Sequence, residues 1–140
     1  MIAQKILLID DDEDDQFIFK DALQETCSSW ECITARHGLE GLQILSQVSV
    51  LPTIIFLDLN MPIMNGEEFL RRIKQHHQYK SIPVIIFSTT NSPGDKQRLL
   101  QMGASRFITK SGDFNILKEN LVEILAIPAK NLKLMHAPKQ

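Results

Sequence analysis

Ile54-Ile55-Phe56-Leu57-Asp58-Leu59-Asn60-Met61-Pro62 is an apolar run that ends on a charge. Ile54, Ile55, Phe56 and Leu57 follow one another without alternating in polarity, the pattern of a strand buried on both faces. Pro62 then prevents the ladder from continuing, because it has no amide N–H to donate. Asp58 is therefore placed where a buried strand emerges, in a stiff loop that Gly66 lets turn into the next helix. Alone, such an aspartate is an ordinary loop or cap residue. Its weight comes from the rest of the chain.

Similar runs stand on either side. Lys5-Ile6-Leu7-Leu8-Ile9 ends at Asp10-Asp11-Asp12-Glu13-Asp14-Asp15, Val84-Ile85-Ile86-Phe87 ends at Ser88-Thr89-Thr90, and Arg106-Phe107-Ile108-Thr109 ends at Lys110-Ser111-Gly112. Residues 30–35 make a more polar strand near an edge. Between the strands lie helical patterns. The first places Phe17, Ile18, Ala22 and Leu23 on one side, with acidic residues in a first turn that suits the helix dipole. Leu39, Leu42, Ile44 and Leu45 mark a short second helix. Residues 67–77 form a third, with Phe69, Leu70 and Ile73 inward and Arg71, Arg72 and Lys74 outward. Ser92 as N-cap, Pro93 at N1 and Asp95 open a fourth that stops at Gly103. Asp113 caps a last helix carrying Ile116, Leu117, Leu121, Ile124 and Leu125, which Pro128 ends. Strand and helix alternate five times, which calls for a parallel sheet wound on both faces. One domain is expected over residues 1–128, followed by a frayed tail over 129–140 with an apolar patch at Leu132, Leu134 and Met135.

Composition narrows the function classes. The 140 residues are 44% hydrophobic and 23% charged with a net charge of -2, so nothing suggests direct nucleic-acid binding. No apolar run approaches the roughly 20 residues of a membrane span, and no secretory leader is recognisable. Cys27 and Cys32 read as free thiols of a reducing cytoplasm, and His76 and His77 as residues favoured at a helix end.

The chemistry collects at the strand ends. In an open parallel sheet the carboxyl ends of the strands lie along one edge, where ligands bind. Asp10, Asp11, Asp58, Ser88 and Lys110 would meet there. Crowded carboxylates repel, and a hard divalent cation such as Mg2+ relieves this with oxygen ligands. Lys110 supplies a compact positive charge for a carboxylate or phosphoryl oxygen, and Ser88 a hydroxyl. Such a set suits phosphoryl transfer to a carboxylate, where positioning and charge neutralisation do most of the catalysis.

Leu8-Ile9-Asp10-Asp11, Phe56 to Pro62 with Gly66, Phe87-Ser88-Thr89 and Phe107-Ile108-Thr109-Lys110 together resemble the motifs of bacterial response-regulator receiver domains. They stand in the same order and at suitable spacing, over about residues 4–127. The resemblance implies a flavodoxin-like doubly wound sheet of order 2-1-3-4-5. It makes Asp58 the phosphoacceptor, charged by a sensor histidine kinase or phosphotransfer protein. It makes Asp11 and Asp58 direct Mg2+ ligands, Asp10 a ligand through water, and Asn60 a ligand through its backbone carbonyl. Lys110 would contact the phosphoryl group, Ser88 would be the switching hydroxyl, and Phe107 the aromatic that turns inward when Ser88 moves. Met1 to Lys5 and the Ser92-Pro93 segment further resemble the single-domain regulators that work with phytochrome-type kinases.

Two positions depart from that pattern. Members commonly carry proline after the lysine, often on a cis bond, whereas here Ser111 follows; a non-proline cis bond costs about 3 kcal/mol, which leaves the Lys110-Ser111 geometry open. Thr89 stands where many members have a smaller residue, and is expected to slow access to Asp58. Asp12, Asp14 and Asp15 read as a solvated helix start.

Two rivals share parts of this pattern. A haloacid-dehalogenase-like phosphatase needs a second Asp two positions after the first, where this chain has Asn60. A flavin binder needs a neutral phosphate-cradling loop where Asp10 to Asp15 stand. The expectation is a stand-alone receiver, not an enzyme in the ordinary sense, although Mg2+-dependent self-phosphorylation from small donors and autodephosphorylation are expected. Its output would pass through a downstream protein target or by relay of the phosphoryl group, without membrane contact and with homodimerisation open.

Overall fold

The computed structural model describes residues 4–90, 92–128 and 131–132. Ten elements alternate as expected: β1 (Lys5–Ile9), α1 (Glu13–Thr26), β2 (Glu31–Ala35), α2 (Gly38–Gln47), β3 (Ile54–Leu57), α3 (Gly66–Gln75), β4 (Val84–Ser88), α4 (Pro93–Gln101), β5 (Arg106–Thr109) and α5 (Phe114–Leu125). All strand pairs are parallel, in the order β2-β1-β3-β4-β5. No helix among the described residues is long and apolar enough to cross a membrane.

The unbroken apolar strands are explained by two cores, one on each face. Leu7, Ile9, Ile55, Leu57, Val84 and Ile86 pack under α2, α3 and α4 with Leu45, Phe69, Leu70, Ile73 and Leu99. Ile6, Leu8, Ile54, Phe56, Ile85 and Phe87 pack under α1 and α5 with Phe19, Leu23, Leu121 and Ile124. Successive residues of one strand thus serve opposite cores, and neither face tolerates a polar residue.

The helices begin where their caps were read. Ser92 accepts from Asp95 N, and Asp113 from Asn115 N and Ile116 N. Gly103, after α4, has φ +114, a conformation in which a side chain would be strained. The third helix stops at Gln75, two residues short of its expected end, because His76 turns extended and its ring stacks on Tyr79 at 4.0 Å.

The face of α1 needs correction. Phe19, not Phe17 or Ile18, is buried beside Ala22 and Leu23, while Phe17 is 71% exposed. Phe17-Ile18-Phe19 permits two helical registers. The one adopted places the Phe19 ring edge-on to Phe56 at 5.0 Å and near Phe87 at 6.0 Å. Leu132, expected in a frayed tail, is buried in the core under α1 and α5. Leu134, Met135 and the rest of the tail apart from Asn131 and Leu132 lie outside the described residues, as do Met1 to Ala3.

Candidate phosphoacceptor and metal site

Strand register brings the polar strand ends together. Ile9 pairs with Leu57, so Asp10 and Asp58 leave adjacent strands side by side. Asp58 N donates to Ile9 O at 2.9 Å and Asp10 N to Ala35 O at 3.0 Å, which fixes both backbones. Ser88 pairs with Thr109, and Lys110 N donates to Ser88 O at 2.8 Å. Residues far apart in the chain thereby share one edge.

One carboxylate oxygen each from Asp10, Asp11 and Asp58 lie within 4.8 Å of one another. Asp10 and Asp58 are buried, whereas Asp11 is exposed. The Lys110 ammonium donates to Asp10 Oδ2 at 2.7 Å and to Asp15 Oδ2 at 2.8 Å, and stands 3.8 Å from Asp58 Oδ2. Asp58 Oδ1 accepts from Leu59 N at 2.8 Å. Its Oδ2 thus faces the ammonium without a hydrogen bond of normal length. The bond to Ser111 is not cis, since no peptide bond among the described residues is, and the lysine reaches the acidic cluster all the same.

Burial dominates the electrostatics here. It pushes the Asp58 carboxyl up to about 6; Lys110 opposes this, while Asp10 and Asp11 add to it. Asp10 is also raised by burial, against hydrogen bonds from Lys110 and the Asp12 amide. Burial would lower the Lys110 ammonium, but its bonds to Asp10 and Asp15 outweigh that and leave it raised. A group that must lose its proton in a poorly hydrated place gains from an added cation. Oxygen donors at this spacing are what Mg2+ or Mn2+ takes.

Ser88 is fully buried, and its Oγ has no hydrogen-bond partner among the described residues. An orphaned hydroxyl costs roughly 1–3 kcal/mol. Phe107 pairs with Ile86 on β4, which puts it on the same sheet face as Ser88; its ring is half-buried, with Lys96 Nζ 5.4 Å from its centroid.

Comparison with known proteins identifies the family. Residues 6–122 match the model of the response regulator receiver domain. The chain belongs to the response regulator receiver family. Response regulator Rcp1 of Synechocystis is 32% identical over 111 residues, 76% of either chain. Its Mn(2+)-bound crystal structure superimposes with a TM-score of 0.78 at 29% identity, covering 89% of this chain and 93% of that one. The phosphorylated cyanobacterial phytochrome response regulator RcpA gives 0.80 at 29% identity over 98% of both chains. The sensor histidine kinase CheAY of Helicobacter pylori is 30% identical over 78% of this chain, but the match spans only 14% of the kinase. Receiver domains are signalling domains that accept a phosphoryl group, and the phosphatase alternative is not favoured.

The loop after β3 holds the receiver's Asp58 in place. Met61 and Met64 are buried and anchor it, and Gly38 N donates to Met64 O at 2.9 Å. Between these anchors Met64 N donates to Pro62 O at 2.7 Å around Ile63, which has φ +66 and is 76% exposed. That is a three-residue γ-turn, strained for a β-branched residue. Gly66 closes the loop: its amide donates to Leu59 O at 2.9 Å, and a Cβ there would lie 2.1 Å from Asp58 O. Asn60 and Thr89 are both exposed at the mouth of the strand ends.

One residue of the cluster escaped the sequence reading. Asp15 was grouped with Asp12 and Asp14 as solvated, yet it is bonded to Lys110. The available signal is directional. Side chains in a first helical turn lean toward the helix N-terminus, and α1 begins at the carboxyl edge of the sheet. Asp12 does act as a cap, accepting from Asp15 N at 3.0 Å.

Proposed function

We propose that this receiver takes a phosphoryl group onto Asp58 from the histidine of a sensor kinase or phosphotransfer protein and thereby switches a protein-binding surface. The observation that carries the reading is the convergence of Asp10, Asp11 and Asp58, with the half-buried Lys110 ammonium 2.7 Å from Asp10 and 3.8 Å from Asp58. In the transfer, the phosphorus–nitrogen bond of the donor breaks, a bond forms to an Asp58 carboxylate oxygen, and the imidazole leaves. Oδ2 is the better placed oxygen, since Oδ1 is engaged by Leu59 N. With its pKa near 6, Asp58 is mostly ionised at neutral pH and able to attack.

Mg2+ fits the donor set, with Asp11 and Asp58 as direct ligands, Asp10 through water and Asn60 through its backbone carbonyl; when bound, it neutralises charge on the phosphoryl oxygens. Lys110 serves the same oxygens from the other side. Ser88, whose hydroxyl has no partner among the described residues, moves to donate to the new group, and Phe107 follows on the same sheet face. This shifts an equilibrium at the surface of α4, β5 and α5, by no more than the phosphoryl group prefers one state. Thr89 limits access of water, and the same site supports slow self-phosphorylation from small donors and autodephosphorylation.

The test is incubation with an autophosphorylated histidine kinase in Mg2+, followed by borohydride trapping and peptide mapping. Label at residue 58 is expected. Label confined to another aspartate overturns the assignment. Lys110→Ala is expected to keep some label while losing its coupling to partner binding.

A further inference from the structure

Lys110 is held by more carboxylates than the acceptor chemistry requires. Its ammonium has three donors, and two are spent on Asp10 and Asp15, at 2.7 and 2.8 Å. Asp58, the group it is to serve, is 3.8 Å away. Little else aims this side chain. Its backbone is fixed by the bond to Ser88 O, but Ser111 and Gly112 follow, the latter at φ +80 with open space around it. We infer that Asp15 is an exchangeable partner of Lys110, holding the ammonium off Asp58 until an arriving phosphoryl group displaces it. The inference rests on the reading of Asp58 as the acceptor and names a positioning residue for that reaction.

The environments of the two carboxylates decide which one lets go. Asp10 is 1% exposed, so giving up its lysine would strand a charge that water cannot reach. The Asp15 side chain is 36% exposed, so water can replace the lysine there. Asp15 also lies in the first turn of α1, where free amides and the helix dipole favour a negative charge whether or not a lysine is bound. Release from Asp15 is therefore the easier exchange, and the freed donor turns to a phosphoryl oxygen on Asp58. The Phe87 ring lies 5.2 Å from the ammonium and adds a cation–π contact where it now stands.

The exchange sets how readily the phosphorylated state forms. Removing the Asp15 charge leaves Lys110 with one fewer competitor and should tighten binding of a phosphoryl mimic. A residue that merely shaped the site would do the opposite when removed.

The experiment is titration of the full chain with beryllofluoride at saturating Mg2+, followed by 19F NMR, for wild type, Asp15→Asn, Asp15→Glu and Asp58→Asn. Asp15→Asn is expected to bind about fivefold more tightly, the worth of a half-exposed ion pair. Asp15→Glu restores the charge and should return close to wild type. Unchanged or weaker binding by Asp15→Asn overturns the exchange. Binding that survives in Asp58→Asn instead overturns the acceptor assignment, so the two failures are told apart.

Discussion

The two edges of this sheet are built from the same strands and follow opposite rules. At the amino edge the backbone is closed by hydrogen bonds and the lining is mostly apolar, around a cavity bounded by Trp30, Ile54, Ile124, Ile127 and Leu132. Glu31 N donates to Gln4 O, Thr53 N to Lys5 O and Ile55 N to Pro83 O, each at 2.9 Å, while Leu132 is buried near Trp30 and Ile127. At the carboxyl edge stand buried Asp10 and Asp58, an ammonium set among them and Asp15, a Ser88 hydroxyl with no partner among the described residues and a strained turn at Ile63. One edge contributes stability and the other gives some of it up. A site that is to bind a cation and a phosphoryl group keeps its charges poorly compensated until they arrive.

The contrast can be broken in several ways. The largest effect is expected at the core between the edges. Phe19→Ala should lose about 4 kcal/mol in urea unfolding, whereas Phe17→Ala should change stability by less than about 0.5 kcal/mol; equal losses would refute the register given for α1.

Next is Asp58→Asn. A carboxyl raised from 3.8 to about 6 on folding favours the folded state at low pH and loses that contribution as pH rises through 6. The variant should therefore be more stable than wild type by about 3 kcal/mol at pH 7, with the gain vanishing near pH 4. A variant that is less stable at pH 7 would show that the carboxylate is well compensated.

At the amino edge, Leu132→Ala should cost about 2 kcal/mol and leave Mg2+ affinity unchanged. A change in both would couple the two edges. The smallest effect is on metal binding itself. Mg2+ affinity, followed by calorimetry, should weaken severalfold from pH 7 to pH 5 as Asp58 takes up a proton, and a flat profile would argue against its sharing in the site.

Most of the fold was legible because strands buried on both faces leave no alternation to misread. The turn chemistry at Ser92-Pro93 and Asp113 is equally local. Asp10, Asp11, Asp58 and Lys110 were legible as a set because parallel topology sends all strand ends to one edge. The failures have a shared cause in rotation about a helix axis. Three consecutive apolar residues hid which of Phe17 and Phe19 faced the sheet, and a run of six acidic residues hid that Asp15 leans back toward Lys110. Leu132 was assigned to a tail patch and not to the core for a different reason, since a few apolar residues past a helix-ending proline carry no period to read.

The claim that four strand ends make one metal-dependent acceptor is tested most directly by acetyl phosphate labelling of wild type and Asp58→Asn, each with Mg2+ or with EDTA. One phosphoryl group on the wild type in Mg2+, and none in the other three samples, is predicted. Undiminished label on Asp58→Asn, or on wild type stripped of metal, would contradict it.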